Sequence, residues 1–156
     1  MNKLRRTLLK GAGAGGALAA ALAAGVLQPG QALAAGGDQT AFDAKDLAGA
    51  LKGLNVTATA ESHDLLLRAP DIAENGAVVP VDVISNIPNT SSISVLVQNN
   101  PFPLSAHFEF SNGAQPDISV RLKLAKTSIV KVVAKADGKF YSAQKEVKVT
   151  AGGCGG

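Results

Sequence analysis

The stretch Ser119-Val120-Arg121-Leu122-Lys123-Leu124 alternates apolar residues with polar or charged ones. A period of two is typical of a half-buried β-strand, because successive side chains of a strand point to opposite faces. Similar short runs, ending at Pro, Gly, Asn or Asp, recur from Leu65 onward. The other candidate strands are Leu65–Ala69, Val78–Ser85, Ser92–Gln98, Ser105–Ser111, Ser128–Ala134, Lys139–Ser142 and Lys145–Val149. This part of the chain is therefore predicted to be all-β.

The spacing of these strands favours one architecture. About eight strands at intervals of roughly 8–12 residues are typical of an immunoglobulin-like antiparallel β-sandwich. A small barrel is the alternative, and the pattern does not separate the two. Turn residues such as Asn99-Asn100-Pro101 and Asp137-Gly138 separate the strands. In the run Ser92–Gln98, Ser94 and Gln98 are expected on a wet face, opposite Val95 and Val97.

A short helix is predicted before the strands, from Thr40 to about Leu51. Thr40 is a suitable N-cap, and Asp43 three residues later completes a capping pattern. Apolar residues follow at helical spacing, at Leu47, Leu51 and Leu54. This helix is expected to pack its apolar stripe on the β-domain.

Residues 1–34 are predicted to be a signal peptide. A basic stretch precedes an apolar run of Gly, Ala and Leu, which is followed by Ala32-Leu33-Ala34-Ala35. Cleavage is expected between Ala34 and Ala35, and the short run does not favour a permanent membrane span. The pair Arg5 and Arg6 indicates a twin-arginine export motif. The expected location is the periplasm, with no membrane association after processing.

Composition narrows the classes of function. One cysteine excludes an internal disulfide and a thiolate metal cage. After residue 34 the chain has eleven basic and twelve acidic side chains, and no aromatic platform accompanies the basic ones, so nucleic-acid binding is not expected. No phosphate loop is present, and no cofactor is predicted. Since the twin-arginine route exports folded cargo, a second subunit that folds with this one is the expected reason for its use.

The sequence ends in Gly152-Gly153-Cys154-Gly155-Gly156. Glycines on both sides leave the thiol exposed, unobstructed and on a flexible backbone. We therefore divide the chain into the signal peptide, a β-domain at residues 35–149 and a carrier arm at residues 150–156. The thiol lies five residues after Val149, a reach of about 17 Å when extended.

Nothing near Cys154 in the sequence activates its thiol. Lys148 is the nearest base, no histidine follows, and no helix begins there. Such a sulfur suits a carrier whose partners supply the activation, rather than an enzyme's nucleophile. No catalytic residue is predicted in this chain.

Five features of the sequence are informative together: the signal with Arg5 and Arg6, the segments Pro70–Val81, Arg121–Ser128 and Ala136–Tyr141, and the terminal Gly152–Gly156. Together they resemble the SoxY family of sulfur carriers in bacterial thiosulfate oxidation. The resemblance implies an immunoglobulin-like fold and a heterodimer with a SoxZ subunit. It also implies that Cys154 is the covalent attachment point for sulfur as a thiosulfonate or persulfide. The implied enzymes are a Sox cytochrome that loads the arm, a hydrolase that releases sulfate and, in some organisms, a sulfane dehydrogenase.

Two other functions remain open from the residues alone. A periplasmic binding or adhesive domain would use Cys154 only to form an intermolecular disulfide, which an exposed thiol permits under either interpretation. A metal chaperone would need Cys154 together with His63 or His107, which are far apart in sequence. We interpret His63 as a surface loop residue, and no metal site is predicted.

Overall fold

The computed structural model describes residues 39–150. Two short helices come first, α1 (Gln39–Phe42) and α2 (Leu47–Gly53). Nine strands follow: β1 (Ala60–Glu61), β2 (Leu65–Arg68), β3 (Ile72–Ala73), β4 (Val79–Ser85), β5 (Thr90–Val97), β6 (Leu104–Glu109), β7 (Asp117–Leu122), β8 (Ser128–Ala136) and β9 (Lys139–Val149). Within residues 39–150, no helix has the length and apolarity to cross a membrane.

The strands form two sheets that pack face to face. The large sheet has the order β1-β9-β8-β5-β6, with β3 also paired to β9, and the small sheet has the order β2-β4-β7. One apolar core joins them, with Val81 and Val83 of β4 packed in the same cluster as Val95 of β5 and Val132 of β8. Because the sheets remain separate layers, the prediction of a β-sandwich is confirmed and the barrel alternative is wrong.

Strand β9 differs from the prediction. It is one strand of eleven residues, whereas the sequence suggested a break at Ala143-Gln144. The break is absent because β8 supplies ladder partners there, with Val132 opposite Ala143 and Lys131 opposite Gln144. At Asp137-Gly138 the predicted hairpin turn is confirmed, with φ of 49° and 74°, as a two-residue turn of this kind requires.

Strands β1 and β3 were not predicted. Both are two residues long and pair in parallel with the outer edge of β9, β1 at Tyr141–Ser142 and β3 at Lys148–Val149. Two residues have too little hydrophobic pattern to identify a strand, so these elements arise from their neighbour.

The predicted single helix is in fact two. Thr40 lies inside α1, and the N-cap of α2 is Asp46, whose Oδ1 accepts a hydrogen bond of 2.7 Å from the Gly49 amide. The helices touch closely at Gly53, where an added Cβ would lie 2.6 Å from the Ala41 Cα. The predicted apolar stripe is confirmed, because it packs beside Leu96, Leu104 and Val133 of the large sheet.

This second cluster changes the burial of the large sheet. Ser94, expected on a wet face, is only 4% exposed, and Leu96 on the same face is fully buried. The two helices cover part of that face. Strand β5 is therefore buried on both sides over much of its length, although Gln98 is exposed as expected.

Candidate functional site

The end of β9, with Thr150 after it, is the last part of the chain that the structure describes. The last ladder pair between β8 and β9 joins Ser128 to Val147. Beyond this pair, β9 continues for two residues, to Val149, and β8 has no residue opposite them. Other groups must therefore bind the backbone of Lys148, Val149 and Thr150.

Two flanking elements bind this backbone. On one side, the amides of Lys148 and Thr150 donate to the carbonyls of Asp71 (2.9 Å) and Ala73 (3.2 Å). On the other side, the Val149 amide donates to Thr127 Oγ1 at 3.0 Å. All three consecutive amides are satisfied, so the chain is held as far as Thr150.

Thr127 is itself held by the turn between β5 and β6. The Asn99 side-chain amide donates to the Thr127 carbonyl (2.8 Å), and the Asn99 backbone amide donates to Ser128 Oγ (2.9 Å). Asn100 binds the same loop, since its side chain donates to the Lys123 carbonyl (2.7 Å) and accepts from the Ala125 amide (3.1 Å). The predicted Asn99-Asn100-Pro101 turn thus also fixes the loop that supports the end of β9.

The β3 side is tied to β9 by a lysine. Lys145 Nζ donates to the Ala69 carbonyl at 2.6 Å and lies 3.0 Å from Asp71 Oδ1. These contacts join β9 to the segment just before β3. Beside it, Ile72 is 57% exposed, a large value for an apolar side chain, and it is in register with Lys148.

Most of the site residues predicted from sequence lie outside the described residues. These are Cys154 with Gly152, Gly153, Gly155 and Gly156 of the arm, Arg5 and Arg6 of the export motif, and Ala34 and Ala35 at the cleavage point. Of the predicted arm, only Thr150 is described. Thr127 was not predicted as a site residue from the sequence. The feature of the sequence that could have indicated it is its position directly before the predicted strand at Ser128.

The two histidines lie apart from this end of the sandwich. His63 is exposed in a turn, as interpreted from sequence. His107 Nδ1 is 2.8 Å from Ser94 Oγ, and its Nε2 is 3.9 Å from Glu109 Oε1, too far for a hydrogen bond. These side chains line a polar cavity of about 380 Å³. Within residues 39–150, no group of three or more His, Cys, Asp or Glu side chains is placed to hold a metal.

The strand registers give the separation between His107 and the end of β9. His107 pairs with Ser94, Ser94 with Val133, and Val133 with Ser142, so these residues form one row across the sheet. Thr150 lies eight residues further along β9 than Ser142, which is about 26 Å at ~3.3 Å per residue. The cavity and Thr150 are therefore far apart along the large sheet.

A comparison with models of protein families identifies the family to which this chain is related. The model of the sulfur oxidation protein SoxY matches residues 52–154, more than half of the chain and up to its cysteine. The chain belongs to the SoxY family. Its structure is similar to that of the sulfur carrier protein SoxY from Chlorobium limicola f thiosulfatophilum, with a TM-score of 0.62 and 39% sequence identity. That similarity covers 68% of this chain and 97% of that chain. The resemblance found in the sequence is confirmed.

A second solved structure is less similar. A superoxide reductase (neelaredoxin) from Ignicoccus hospitalis matches with a TM-score of 0.50 and 25% identity, over 58% of this chain and 82% of that chain. No curated protein matches the chain.

Proposed function

We propose that this chain is a covalent carrier of sulfur intermediates in thiosulfate oxidation, and that Cys154 is the attachment point. The observation that carries the proposal is the SoxY family match, which extends to Cys154, the only cysteine of the chain. The likeness to a SoxY sulfur carrier of known structure supports the same role. The glycines around Cys154 would make residues 150–156 a swinging arm.

The geometry of the β-sandwich favours a carrier over an enzyme. Cys154 follows Thr150 by four residues, so covalent geometry limits the distance between them to about 14 Å. His107 is about 26 Å from Thr150 along the sheet alone. This imidazole therefore cannot activate the Cys154 thiol within one chain. Partner enzymes would supply the activation.

The proposed chemistry has two steps at Cys154. A c-type cytochrome enzyme first joins the thiol sulfur to the outer sulfur of thiosulfate. The thiol loses a proton, two electrons pass to the haem partner, and a cysteine S-thiosulfonate forms. A hydrolase then adds water across the bond between sulfur and the sulfonate, which releases hydrogen sulfate and leaves a persulfide on Cys154. The second step transfers no electrons, and a sulfane dehydrogenase would oxidise the remaining sulfur where it is present.

The assembly and location are parts of the same proposal. A signal-less SoxZ-like subunit would bind the β-sandwich in the cytoplasm and leave with it by the twin-arginine route. Residues 1–34 would be removed on export, and the complex would act in the periplasm. The paired Arg5 and Arg6 and the SoxY family match support this arrangement.

Intact-protein mass spectrometry tests the carrier role. The chain is isolated from thiosulfate-grown cells, and its intact mass is measured before and after treatment with a reductant. We expect adducts on Cys154 with the masses of added sulfur and thiosulfonate, all removed by the reductant. The variant Cys154→Ser should keep its fold, lose the adducts and abolish thiosulfate-dependent activity, because its hydroxyl cannot form an S–S bond. A wild-type chain with only a free thiol or a protein disulfide would contradict the proposal and favour a binding domain.

A further inference from the structure

The backbone of Lys148, Val149 and Thr150 needs hydrogen-bond acceptors on two sides. Amides alternate in direction along a strand, so those of Lys148 and Thr150 point one way and that of Val149 points the other. Strand β3 and the residue before it provide backbone carbonyls on the first side. On the second side, β8 begins only at Ser128, opposite Val147, and the hydroxyl of Thr127 takes the place of a missing strand carbonyl.

We propose that Thr127 and β3 form a clamp that fixes the pivot of the carrier arm at Thr150. Thr127 is then a positioning residue, which acts on the reaction through the place from which Cys154 moves. This inference rests on the proposed function, because a pivot matters only if the thiol has to reach partner active sites.

The clamp determines how far the thiol can move. From Thr150, four residues lead to Cys154, a limit of about 14 Å. If the clamp opens, the last held residue is Val147, seven residues before Cys154, and the limit becomes about 24 Å. The volume open to the thiol then rises about fivefold, and its effective concentration at a docked active site falls by a similar factor.

The support of Thr127 makes its hydroxyl a fixed acceptor. Its carbonyl accepts from the Asn99 side chain at 2.8 Å, and Ser128 Oγ accepts from the Asn99 backbone at 2.9 Å. Thr127 is half-buried and ends a loop in which Asn100 binds the backbone of Lys123 and Ala125. The loop between β7 and β8 is therefore held against the turn between β5 and β6. These bonds fix the position of Thr127 Oγ1, the acceptor for the Val149 amide.

The test compares Thr127→Val, which keeps the shape and removes the acceptor, with Thr127→Ser, which keeps a hydroxyl. Thr59→Val is the matched control. Thr59 Oγ1 accepts a hydrogen bond from Ser142 Oγ (3.1 Å), and Ser142 also lies in β9 but eight residues before Thr150. Amide hydrogen exchange is measured on the full chain, purified with any subunit that accompanies it. We expect the Val149 and Thr150 amides of Thr127→Val to exchange about fivefold faster, from the loss of one net hydrogen bond. The exchange rate of the Ser142 amide should be unchanged in Thr127→Val.

Turnover provides the second measurement. Each variant is added to an extract of cells that lack this chain, and thiosulfate oxidation is followed against the concentration of the variant. Thr127→Val should raise the KM for the carrier with little change in kcat, because the thiol is diluted and its chemistry is intact; about fivefold is the limit for a fully open clamp. Thr127→Ser should restore the wild-type KM, and Thr59→Val should leave it unchanged.

Several results would overturn the clamp. Unaltered exchange at Val149 in Thr127→Val would show that the hydroxyl does not hold the strand. Faster exchange with an unaltered KM would show that the pivot has no role in delivery, and an equal rise in KM for Thr59→Val would indicate general destabilisation. If Thr127→Val does not fold, Thr127→Ala is used with the same expectations. Failure of the wild-type chain to restore thiosulfate oxidation would instead contradict the proposed function, and the exchange result would be unaffected.

Discussion

At the scale of single residues, small polar side chains replace backbone partners that regular structure does not supply. Asp46 accepts from the first turn of α2, and Thr127 accepts from the end of β9. Each binds an amide that its own helix or sheet leaves open. A sequence shows that such a residue is present but not which amide it binds. Thr40 was the predicted N-cap, whereas the structure has Asp46 in that role, and both are residue types that cap helices.

The cap at Asp46 leads to a stability prediction. Asp46→Ala should lower the free energy of unfolding by about 1 kcal/mol, because the Gly49 amide loses its acceptor at the start of α2. Urea unfolding of the full chain measures this change. Asp43→Ala is the matched control, an exposed aspartate four positions from Leu47, and it should change the stability by less than ~0.5 kcal/mol. Equal effects of the two variants would contradict the role of Asp46.

At the scale of elements, the helices depend on the sheet more than on themselves. They have four and seven residues, too short to be stable alone in water. Their apolar residues pack against Leu96, Leu104 and Val133, and this contact places them over the outer face of the large sheet. The burial of that face follows from this packing, which the alternation within β5 does not reveal.

Leu96 tests this helix layer. Leu96→Ala should cost about 2–5 kcal/mol, as for a leucine in a close-packed core, although strand alternation alone places its side chain on the outer face. Thermal or urea unfolding gives the value. Val78→Ala is the comparison, because Val78 is 54% exposed and its change should stay within about 0.5 kcal/mol. A cost for Leu96→Ala as small as that for Val78→Ala would show that the helices do not bury this face.

At the scale of the whole molecule, the β-sandwich separates its polar cavity from Thr150, the last described residue. His107 lies in the row of Ser142, about 26 Å from Thr150, while the four residues from Thr150 to Cys154 span at most about 14 Å. While Thr150 is held, these distances exclude a contact between the His107 side chain and the Cys154 thiol of the same chain.

This separation predicts the behaviour of His107→Gln. The variant should carry sulfur adducts on Cys154 and support thiosulfate oxidation as the wild-type chain does, because its side chain is out of reach of the thiol. Intact mass spectra and turnover in the complemented extract measure both properties. A loss of loading in a folded His107→Gln chain would show that His107 assists the thiol, either in the same chain or from a second copy.

The amino-acid sequence alone was sufficient for the strands of the core and the SoxY family, whereas the structure separated the sandwich from a barrel. Strand alternation and turn residues are local properties, and the run Gly152–Gly156 is one of the segments that carry the resemblance to the family. The tertiary structure decided the two-residue strands β1 and β3, the unbroken β9, the cap at Asp46 and the burial of Ser94. The cap joins residues only three positions apart, and the sequence left open which residue forms it. The other features depend on a neighbouring strand or helix, and so does the bond from Val149 to Thr127, which lies 22 positions earlier. Local pattern determines which segments become the long strands, whereas the packing of distant segments determines how the backbone is held as far as Thr150.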